Sequence, residues 1–524
     1  MDISAKHDVS LSVTPVLDVN MPAPGSAEER QRFAKIQEWL APLFQRVFPD
    51  PHAHQTVVVI PSLSLDTEEL AKISGVHHYE ERMLCMLMLL RLPRTNLVYV
   101  TSRPVAATII DYYLHLLPGI PVSHARRRLT LLSCHDASNA PLTRKILERP
   151  RLLKRIKAAI PDVRSAHMAC FNSTPLERTL AVQLDIPLYA CDPALDWLGT
   201  KSGSRAVFRQ AGVPIPDGFE HLRDQDDLVG AVAELKRRRP DLRRAVIKLN
   251  EGFSGEGNAL FFFDGAPANG DLAGWVRDEL PHRIRFESPT ETWERYQQKF
   301  AEMGGIVESF IEGAEIRSPS VQCRIDPLGQ ACIVSTHDQV LGGPSGQIFL
   351  GCSFPADAAY RQGIHEAGRR VAEVLVREGA LGRFGIDFIC TKQGEHWEHA
   401  AIEINLRKGG TTHPYLTLQF LTNGDYDPYS GLYCTPTGQP CYYLASDNLQ
   451  NTAYKGLTPD DLIDIAVDHD LHFDGATQQG VVFHLIGALS EYGKLGTVCI
   501  GDSRASAEKF YHNTVAVLNH ETQQ

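Results

Sequence analysis

The segment HAAIEINLRKGGTTHP, residues 399–414, carries a carboxylate and an amide two residues apart on an apolar, strand-like run. Glu403 and Asn405 alternate with apolar residues, and residues two apart on a strand face the same side. Oxygen-bearing groups on one face suit a hard cation such as Mg²⁺. Arg407 and Lys408 follow directly and suit phosphate oxygens. The alternative interpretation is an ordinary half-exposed strand that enters a glycine turn.

A second strand, in GRFGIDFICTK, places Asp387 among apolar residues. A short polar turn around TKQGEHWEH joins this strand to the one that carries Glu403 and Asn405, so we expect the two strands to form a hairpin. The three oxygen-bearing side chains would then converge. Such a set on adjacent strands suits Mg²⁺ that is held together with substrate phosphates.

A glycine-rich loop follows Lys248 in AVIKLNEGFSGEGNALFFF, between two predicted strands. Glycine lets the backbone approach a ligand closely, and consecutive N–H groups can hold phosphate oxygens beside the lysine charge. A plain hairpin is the alternative interpretation. The candidate phosphate-binding residues of this segment are Lys248, Gly252, Ser254, Gly255 and Gly257.

The segment IVESFIEGAEIRSPSVQ places Glu308 at the end of an apolar strand and Glu315 seven residues later, after a hinge. Backbone groups of Phe310 and Ile311 could pair with an adenine edge, and Glu315 could accept from ribose hydroxyls. Two exposed acids around a turn are the alternative interpretation.

Lys201 and Arg205 open the segment KSGSRAVFRQAGVPIPDG and lie four residues apart, which places them on one face of a predicted helix. A solvated helix face that ends in a proline-rich turn is the alternative interpretation.

The elements that would position these residues differ along the chain. From about residue 50 to 195, short apolar strands alternate with helices, which predicts a parallel, doubly wound sheet. No GxGxxG motif follows any of these strands, so we expect no dinucleotide site. The predicted strands are TVVVIPSL, NLVYVTS, RLTLLSC, AHMACFN and IPLYAC.

Composition excludes several classes of protein. The chain has 524 residues, of which 43% are hydrophobic and 22% charged, as in ordinary globular proteins. A net charge of −11 disfavours a nucleic-acid partner. Eleven scattered cysteines without a CxxC pair indicate a reducing compartment and no sulfur-ligated metal. Because the N-terminus lacks a long apolar stretch, we expect a soluble, cytoplasmic protein without a membrane partner.

The order lysine, glycine-rich loop, glutamate–hinge–glutamate, aspartate strand and ExN strand resembles the ATP-grasp fold, as in D-alanine–D-alanine ligase, over about residues 200–430. A closer likeness, from about residue 55 to the end, is to the pheganomycin-type peptide ligases. The segments that carry it are TSRPV, HARRRL, KILERP, TKSGSR, HDQVLGGPSGQIFLGCSFPA, NLRKGGTTHP and GVVFHLIG.

This resemblance implies a chain of mixed α/β and α+β class, built from four parts. They are an N-terminal extension over residues 1–50, a parallel-sheet pre-ATP-grasp α/β domain over 51–198, an ATP-grasp domain over 199–435, and a small C-terminal α/β domain over 436–524.

The resemblance also implies an ADP-forming acid–amino-acid ligase. Such an enzyme joins a carboxylate to an amine through an acyl phosphate, with ATP and Mg²⁺, or Mn²⁺ in its place. Its partners would be small molecules, amino acids or a small peptide, and the likeness favours a homodimer. An ATP-grasp small-molecule kinase and a non-catalytic, regulatory ATP-binding module are the alternatives.

The resemblance assigns Arg205 and Lys248 to phosphate, Glu308 and the Phe310–Ile311 backbone to adenine, Glu315 to ribose, and Asp387, Glu403 and Asn405 to two magnesium ions. The candidate catalytic residues are Arg407, Arg383 and Lys408.

Two positions depart from the family pattern. Arg205 stands where many ATP-grasp enzymes have a second lysine, and its planar fork changes the geometry. Gly385 stands where D-alanine–D-alanine ligase has an arginine, so Arg383 or Arg407 would take over that work. The roles of two further residues stay open. Gln347 lies either in a loop near the reacting carboxylate or in a plain β-hairpin. His413 either contacts substrate or phosphate or is a capped structural histidine.

Overall fold

The computed structural model describes residues 21–65, 67–252, 257–288, 290–342 and 348–523. The chain divides into two compact units. The first contains Met1–Glu80, Leu89–Ala106 and Ile120–Tyr189, and the second contains Glu81–Met88, Ala107–Gly119 and Ala190–Gln524.

The first unit contains the predicted parallel sheet. Its strands are β1 (Gln55–Ile60), β2 (Thr95–Thr101), β3 (Leu129–Ser133) and β4 (Ala166–Cys170), in the order β3-β2-β1-β4. All three pairings are parallel. The apolar runs that predicted the strands are buried, as in β1, where every residue is buried. The predicted doubly wound class is confirmed.

The fifth predicted strand, in IPLYAC, is wrong. Leu188 makes only a single parallel bridge to Met168. The side chain of Gln37 pairs with the other edge of Leu188, donating to its carbonyl at 3.0 Å and accepting from its N–H at 2.7 Å. A side-chain amide therefore takes the backbone groups that a further strand would need, and the chain turns into a 3₁₀ helix at Pro193.

Helices connect and precede the strands of this sheet. Those of the first unit are Ala27–Gln37, Leu40–Val47, Thr67–Lys72, Val122–Arg126, Leu142–Leu147, Pro150–Ala158 and Pro175–Leu184, with the 3₁₀ helix Val163–Ser165. The 3₁₀ helix Val76–Arg91 contributes Glu81–Met88 to the second unit.

The second unit contains a five-stranded antiparallel sheet. Its strands are β5 (Gly218–Leu222), β6 (Arg244–Leu249), β7 (Asn258–Phe262), β8 (Ile284–Phe286) and β9 (Gly305–Ser309), in the order β5-β9-β6-β7-β8. One apolar core joins this sheet to the helices Gln225–Arg238, Leu272–Arg283 and Trp293–Met303. The sheet carries Lys248 on β6 and Glu308 on β9.

The second unit also contains a nine-stranded antiparallel sheet and a separate hairpin. Their strands are β10 (Ile316–Arg317), β11 (Pro319–Ile325), β12 (Ala331–Gly342), β13 (Ile348–Phe354), β14 (Gly382–Gln393), β15 (His396–Asn405), β16 (Asp425–Asp427), β17 (Leu432–Cys434), β18 (Tyr442–Gln450), β19 (Gly480–His484) and β20 (Lys494–Gly501). The order in the large sheet is β10-β14-β11-β12-β13-β18-β20-β19, with β15 paired to β14. Strands β16 and β17 form the hairpin.

The helix Ala358–Arg377 packs its buried apolar residues onto β11 and β14 in a second core. The other helices of this unit are Ala107–His115, Lys201–Gln210, Thr412–Thr422, Pro459–Asp468, Leu489–Tyr492 and Arg504–Glu521, with the 3₁₀ helices Pro193–Gly199, Thr452–Gly456 and Ile486–Ala488. Within the described residues, every helix is too short or too polar to cross a bilayer.

The C-terminal strands continue the nine-stranded sheet. β18 pairs with β13, and β20 pairs with both β18 and β19. The strands of residues 436–524 are thus hydrogen-bonded to the strands before them. The four-part domain division, with its boundaries, stays a prediction.

Candidate active site

The hairpin predicted for the Asp387 and ExN strands is confirmed. β14 and β15 pair so that Asp387 lies directly opposite Glu403 and Gly385 lies opposite Asn405. The Asn405 side-chain amide donates to Oδ2 of Asp387 at 2.9 Å. The three predicted metal ligands therefore lie together on one hairpin.

The charge of Glu403 affects the protonation of Asp387 on the facing strand. Burial, and then the facing charge of Glu403, raise the pKa of Asp387 to about 7. Burial also acts to raise the pKa of Glu403, but Lys201, Lys248 and Arg407 outweigh it and hold this pKa below its ordinary value. Opposed carboxylates whose mutual repulsion a cation would relieve are a donor set that fits Mg²⁺.

Gln339 on β12 was not found from the sequence. Its side-chain amide donates to Oδ1 of Asp387 at 2.8 Å. The two residues are 48 positions apart, and β11 lies between their strands in the sheet. Since spacing carries no sign of such a contact, only the sheet order reveals it.

Lys201 lies at the start of the helix Lys201–Gln210 and forms an ion pair with Glu403. The sequence predicted that Lys201 shares a helix face with Arg205 but assigned it no role. The helix is capped by Thr200, whose side chain accepts from the backbone N–H of Gly203. A Cβ at Gly203 would lie 1.9 Å from the Trp197 carbonyl oxygen, so only glycine allows this close start of the helix.

Arg205, Lys248 and Glu308 form one buried cluster. The Arg205 guanidinium donates to Glu308 at 3.1 Å, to Glu220 at 3.2 Å and to the Pro216 carbonyl at 3.0 Å. The Lys248 ammonium contacts the other oxygen of the Glu308 carboxylate. Arg205 and Lys248, which were assigned to phosphate, thus share the carboxylate of Glu308, which was assigned to adenine.

The predicted hinge lies between β9 of the smaller sheet and β10 of the larger one. The Phe310 N–H donates to the Arg244 carbonyl at 3.3 Å, and the Arg244 guanidinium lies 3.8 Å from the Phe310 ring centre. Ile311 is partly buried. Glu315 forms an ion pair with Arg317 at 2.8 Å. The Phe310 N–H, which the sequence analysis assigned to adenine, is therefore bonded within the protein in this structure.

The glycine-rich segment connects β6 and β7, which pair from Lys248 and Asn258 onward, so the predicted strand–loop–strand is confirmed. The Leu249 N–H donates to the Gly257 carbonyl at 3.0 Å, and Gly252 is exposed. Ser254, Gly255 and Gln347 lie outside the described residues.

One candidate catalytic cation, Arg383, lies on β14 of the hairpin, and the other two, Arg407 and Lys408, follow the end of β15. The Arg407 N–H donates to the Asn405 carbonyl at 2.7 Å, which turns the chain at the end of β15. Burial lowers the pKa of Arg407, and the negative charges of Glu403 and Asp387 act against that shift.

The charges of Arg383 and Lys408 both act on the pKa of one buried thiol. Burial raises the pKa of Cys85 to about 12, and both cations act against that shift. Arg383 is directly opposite Arg324 in the pairing of β14 with β11. Positive charge is thereby gathered beside the acidic hairpin.

A buried cluster of three residues forms where the helix Thr412–Thr422 begins. Nε2 of His413 lies 3.0 Å from Nε2 of His484 and 3.1 Å from Oδ1 of Asp447. Nε2 of His484 lies 2.8 Å from the same oxygen. Arg82 lies 3.4 Å from Oδ2 of Asp447. The sequence analysis left the role of His413 open and did not single out Asp447 or His484. These two residues lie on β18 and β19.

Two family models match the chain. An IQCH-like ATP-grasp model matches residues 194–264 and 272–428, and a PGM1 C-terminal domain model matches residues 461–514.

Two curated proteins are similar in sequence. L-propargylglycine–L-glutamate ligase of Streptantibioticus cattleyicolor is 31% identical over 472 residues, which cover 88% of this chain and 94% of that protein. IQ motif-containing protein H of Danio rerio is 24% identical over 400 residues, which cover 68% of this chain but only 38% of that protein.

Solved structures share the fold at low sequence identity. A biotin carboxylase–beta-gamma-ATP complex from Campylobacter jejuni matches with a TM-score of 0.51 and 12% identity, over 90% of this chain and 96% of the other. The biotin carboxylase subunit of pyruvate carboxylase matches with a TM-score of 0.50 and 11% identity, over 88% and 90%.

Proposed function

Because this chain belongs to the ATP-grasp family of carboxylate–amine ligases, and is thus an ATP-dependent amide-forming enzyme, we propose that it joins two amino acids through an acyl phosphate. ATP would be converted into ADP and phosphate. The observation that carries the proposal is the hairpin on which Asp387 faces Glu403 beside Arg407 and Lys201. The ligase relative named for propargylglycine and glutamate supports amino acids as the substrate class.

Asp387, Glu403 and Asn405 would hold the magnesium ions. Two opposed carboxylates and an amide are oxygen donors of the kind that Mg²⁺ or Mn²⁺ accepts. Bound there, the ion supplies positive charge to the phosphate oxygens of ATP. Gln339 donates to Oδ1 of Asp387 and Asn405 donates to Oδ2, so two side-chain amides fix the orientation of this carboxylate.

Lys201, Lys248 and Arg205 would hold the phosphates together with the glycine-rich loop, Gly252 to Gly257. Lys201 and Lys248 each contact an acid within the protein, and ATP phosphate oxygens would replace or share those contacts. The two lysines belong to the elements on either side of the site, the helix after Thr200 and β6. The hinge with Ile311 and Glu315 would bind the nucleoside.

In this scheme the residues of the chain position the substrates and neutralise charge, and they do little covalent chemistry, since phosphoryl transfer is catalysed mainly in this way. A substrate carboxylate oxygen attacks the γ-phosphorus and ADP leaves. The amine then attacks the acyl carbon, an oxyanion forms, and phosphate departs with the electron pair of the C–O bond. Arg407 stabilises the oxyanion, and Arg383 and Lys408 are the other candidate cations for this role.

The proposal also covers the oligomeric state, the domain organisation and the compartment. It includes a homodimer and the four-part domain division at residues 50, 198 and 435. All eleven cysteines are free, which supports a reducing compartment such as the cytoplasm.

Mass spectrometry of the full chain with ATP, Mg²⁺ and a pool of the twenty proteinogenic L-amino acids plus L-propargylglycine tests this function. ADP together with a mass equal to two amino acids minus water is the expected result. ADP with a phosphorylated amino acid would show a kinase, and ATP binding without ADP would show a binding module. Glu403→Gln in the same assay separates turnover at this site from a contaminating enzyme.

A further inference from the structure

Two arginines face each other on neighbouring strands of the nine-stranded sheet. Arg324 on β11 lies directly opposite Arg383 on β14 in their antiparallel pairing. Both residues are partly exposed, so a ligand can reach them. Like charges that lie directly opposite each other on two strands repel. A bound anion would relieve this repulsion, which makes the pair a candidate anion site.

The arginine pair lies on the same face of the sheet as the acidic hairpin. The pairing of β11 with β14 keeps one register up to Ser320, which is opposite Asp387. Residues two apart on a strand point to one face, so Arg383, Gly385 and Asp387 share a face. The alternate residues of both strands point the other way, into the apolar core that includes the helix Ala358–Arg377; they are Val321, Cys323, Ile325, Phe384 and Ile386.

Gly385 lies midway between Arg383 and Asp387 on β14. Four residues of a strand span about 13 Å. The long arginine side chain shortens that gap from one end, and a phosphate held beside Asp387 would shorten it from the other. Because glycine has no side chain, β14 itself leaves the space between them open. A small substrate fits the remaining distance.

Gln322 places a hydrogen-bond donor beside this space. It lies opposite Gly385, and a Cβ at Gly385 would lie 2.7 Å from the Gln322 side-chain nitrogen and 3.9 Å from Cβ of Asn405. Oγ1 of Thr412 donates to Oε1 of Gln322 at 3.3 Å, which orients the amide. A neutral donor therefore lies between the arginine pair and the residues that we assign to the metal.

A carboxylate is the anion that suits the arginine pair. The planar fork of a guanidinium group binds a carboxylate through two parallel N–H···O bonds. The other anion of the proposed reaction is the phosphate chain of ATP, which we assign to Lys201 and Lys248. These lysines contact Glu403 and Glu308, so they do not share the position of the arginine pair on β11 and β14.

We propose that Arg324 and Arg383 bind a substrate carboxylate that does not react, and that they select substrates that carry one. This rests on the proposed ligase function. The carboxylate has two sources. It belongs either to a dicarboxylic amino acid whose other carboxylate is activated beside Asp387, or to the amino acid that supplies the amine. In both cases it stays charged, and no bond to it forms or breaks. Arg407 keeps the role at the oxyanion.

A competition between acids and their amides tests the site. Wild type, Arg324→Gln and Arg383→Gln are given ATP, Mg²⁺ and an equimolar pool of the twenty proteinogenic L-amino acids, L-propargylglycine and the α-carboxamide of each. Asparagine and glutamine are the side-chain amides of aspartate and glutamate, so the pool offers every carboxylate in charged and neutral form. Tandem mass spectrometry identifies the acylating residue and the amine residue of each product.

We expect wild type to use the form with the free, non-reacting carboxylate about 100-fold more often than its amide, since a charged contact to arginine is then lost. The preference identifies the source. It falls on the acylating residue for a dicarboxylic substrate and on the amine residue for an α-carboxylate. In both arginine variants the preference should fall to within about threefold, because product from the free acid decreases while product from the amide stays near the wild-type level.

Two controls separate binding from folding. Arg369→Gln removes an exposed arginine that pairs with Glu366 and Glu373 on the helix Ala358–Arg377, and it should keep the wild-type preference. The melting temperatures of Arg324→Gln and Arg383→Gln should equal or exceed that of wild type, because each change relieves the repulsion of two facing cations.

Several outcomes would overturn the inference. A preference that survives in both arginine variants, or that is lost equally in Arg369→Gln, would show that the pair binds no substrate carboxylate. A melting temperature many degrees lower in both variants would show a structural pair. A wild type that ligates acids and amides equally well would overturn the inference and leave the proposed function standing. If wild type forms no ligated product, the proposed function fails and the inference fails with it.

Discussion

Nζ of Lys201 lies 2.5 Å from Oε1 of Glu403, although 202 residues separate the two in the chain. The helix that begins at Lys201 and the strand β15 that carries Glu403 therefore meet at the acidic hairpin. This contact brings an ammonium group to the residues that we assign to magnesium and phosphate, and it motivates the first two predictions.

Lys201→Met should reduce ATP turnover by about 100-fold, the usual loss for one charged contact to a reacting phosphate or oxyanion. Methionine keeps the length of the side chain but removes the charge that holds the pKa of Glu403 down. The measurement is kcat/KM for ADP release with the amino-acid pool. Turnover within a few-fold of wild type would show that this lysine only packs against β15.

Glu403→Gln should abolish turnover, by roughly 100- to 1000-fold or more, while far-UV circular dichroism and the melting temperature stay close to wild type. Glutamine keeps the shape of the side chain and removes the charge that faces Asp387. ADP release is followed over a titration of Mg²⁺. Near-normal activity at any Mg²⁺ concentration would refute the assignment of Glu403 to the metal.

Asp387 should make stability fall as the pH rises. Its pKa is about 7 in the folded chain, against an ordinary value of 3.8, so the folded state binds more protons than the unfolded state between about pH 4 and pH 7. The free energy of unfolding therefore decreases through that window. In EDTA, Asp387→Asn should gain a few degrees of melting temperature over wild type at pH 8 and much less at pH 4. An equal difference at both pH values would contradict this assignment.

Gly203→Ala should destabilise the chain by several kcal/mol and lower activity, since a Cβ would lie 1.9 Å from the Trp197 carbonyl oxygen and 3.1 Å from the Cα of Leu198. The start of the helix with Lys201 would have to move. Gly230→Ala is the matched control, because that glycine also lies within a helix but has open space around its Cβ position. It should gain up to about 1 kcal/mol. Urea unfolding of both variants measures the contrast.

Glu308→Ala should cost about 3–5 kcal/mol of stability, because it leaves the buried cations Arg205 and Lys248 without their shared acid. Glu234→Ala removes an acid from exposed pairs on the helix Gln225–Arg238 and should change stability by less than about 0.5 kcal/mol. The shift of the urea midpoint distinguishes the two. Equally small shifts of the urea midpoint in both variants would mean that the cluster of Arg205, Lys248 and Glu308 is solvated.

The hairpin of Asp387 and Glu403 could be predicted because its residues are close in the chain and alternate with apolar ones. Lys248 and its glycine-rich loop were predictable for the same reason. Gln339, Asp447 and His484 were not assigned, because their contacts depend on the order of strands in a sheet whose neighbours are not consecutive in sequence. Lys201 was given no role, because it lies on a helix whose partner Glu403 is 202 residues away in the chain. The strand predicted at IPLYAC failed because a glutamine side chain from a distant helix pairs with the backbone there.

The pairing of β13 with β18 has a practical consequence for anyone who would express the ATP-binding part alone. Strand β13 ends at Phe354, and its outer hydrogen-bonding groups from Gly351 onward are met by β18. A recombinant fragment that stopped at residue 435 would present this row of unpaired groups to water, and such rows template intermolecular sheet growth. Insoluble aggregates of that fragment, beside a well-behaved full-length chain, would be the natural outcome.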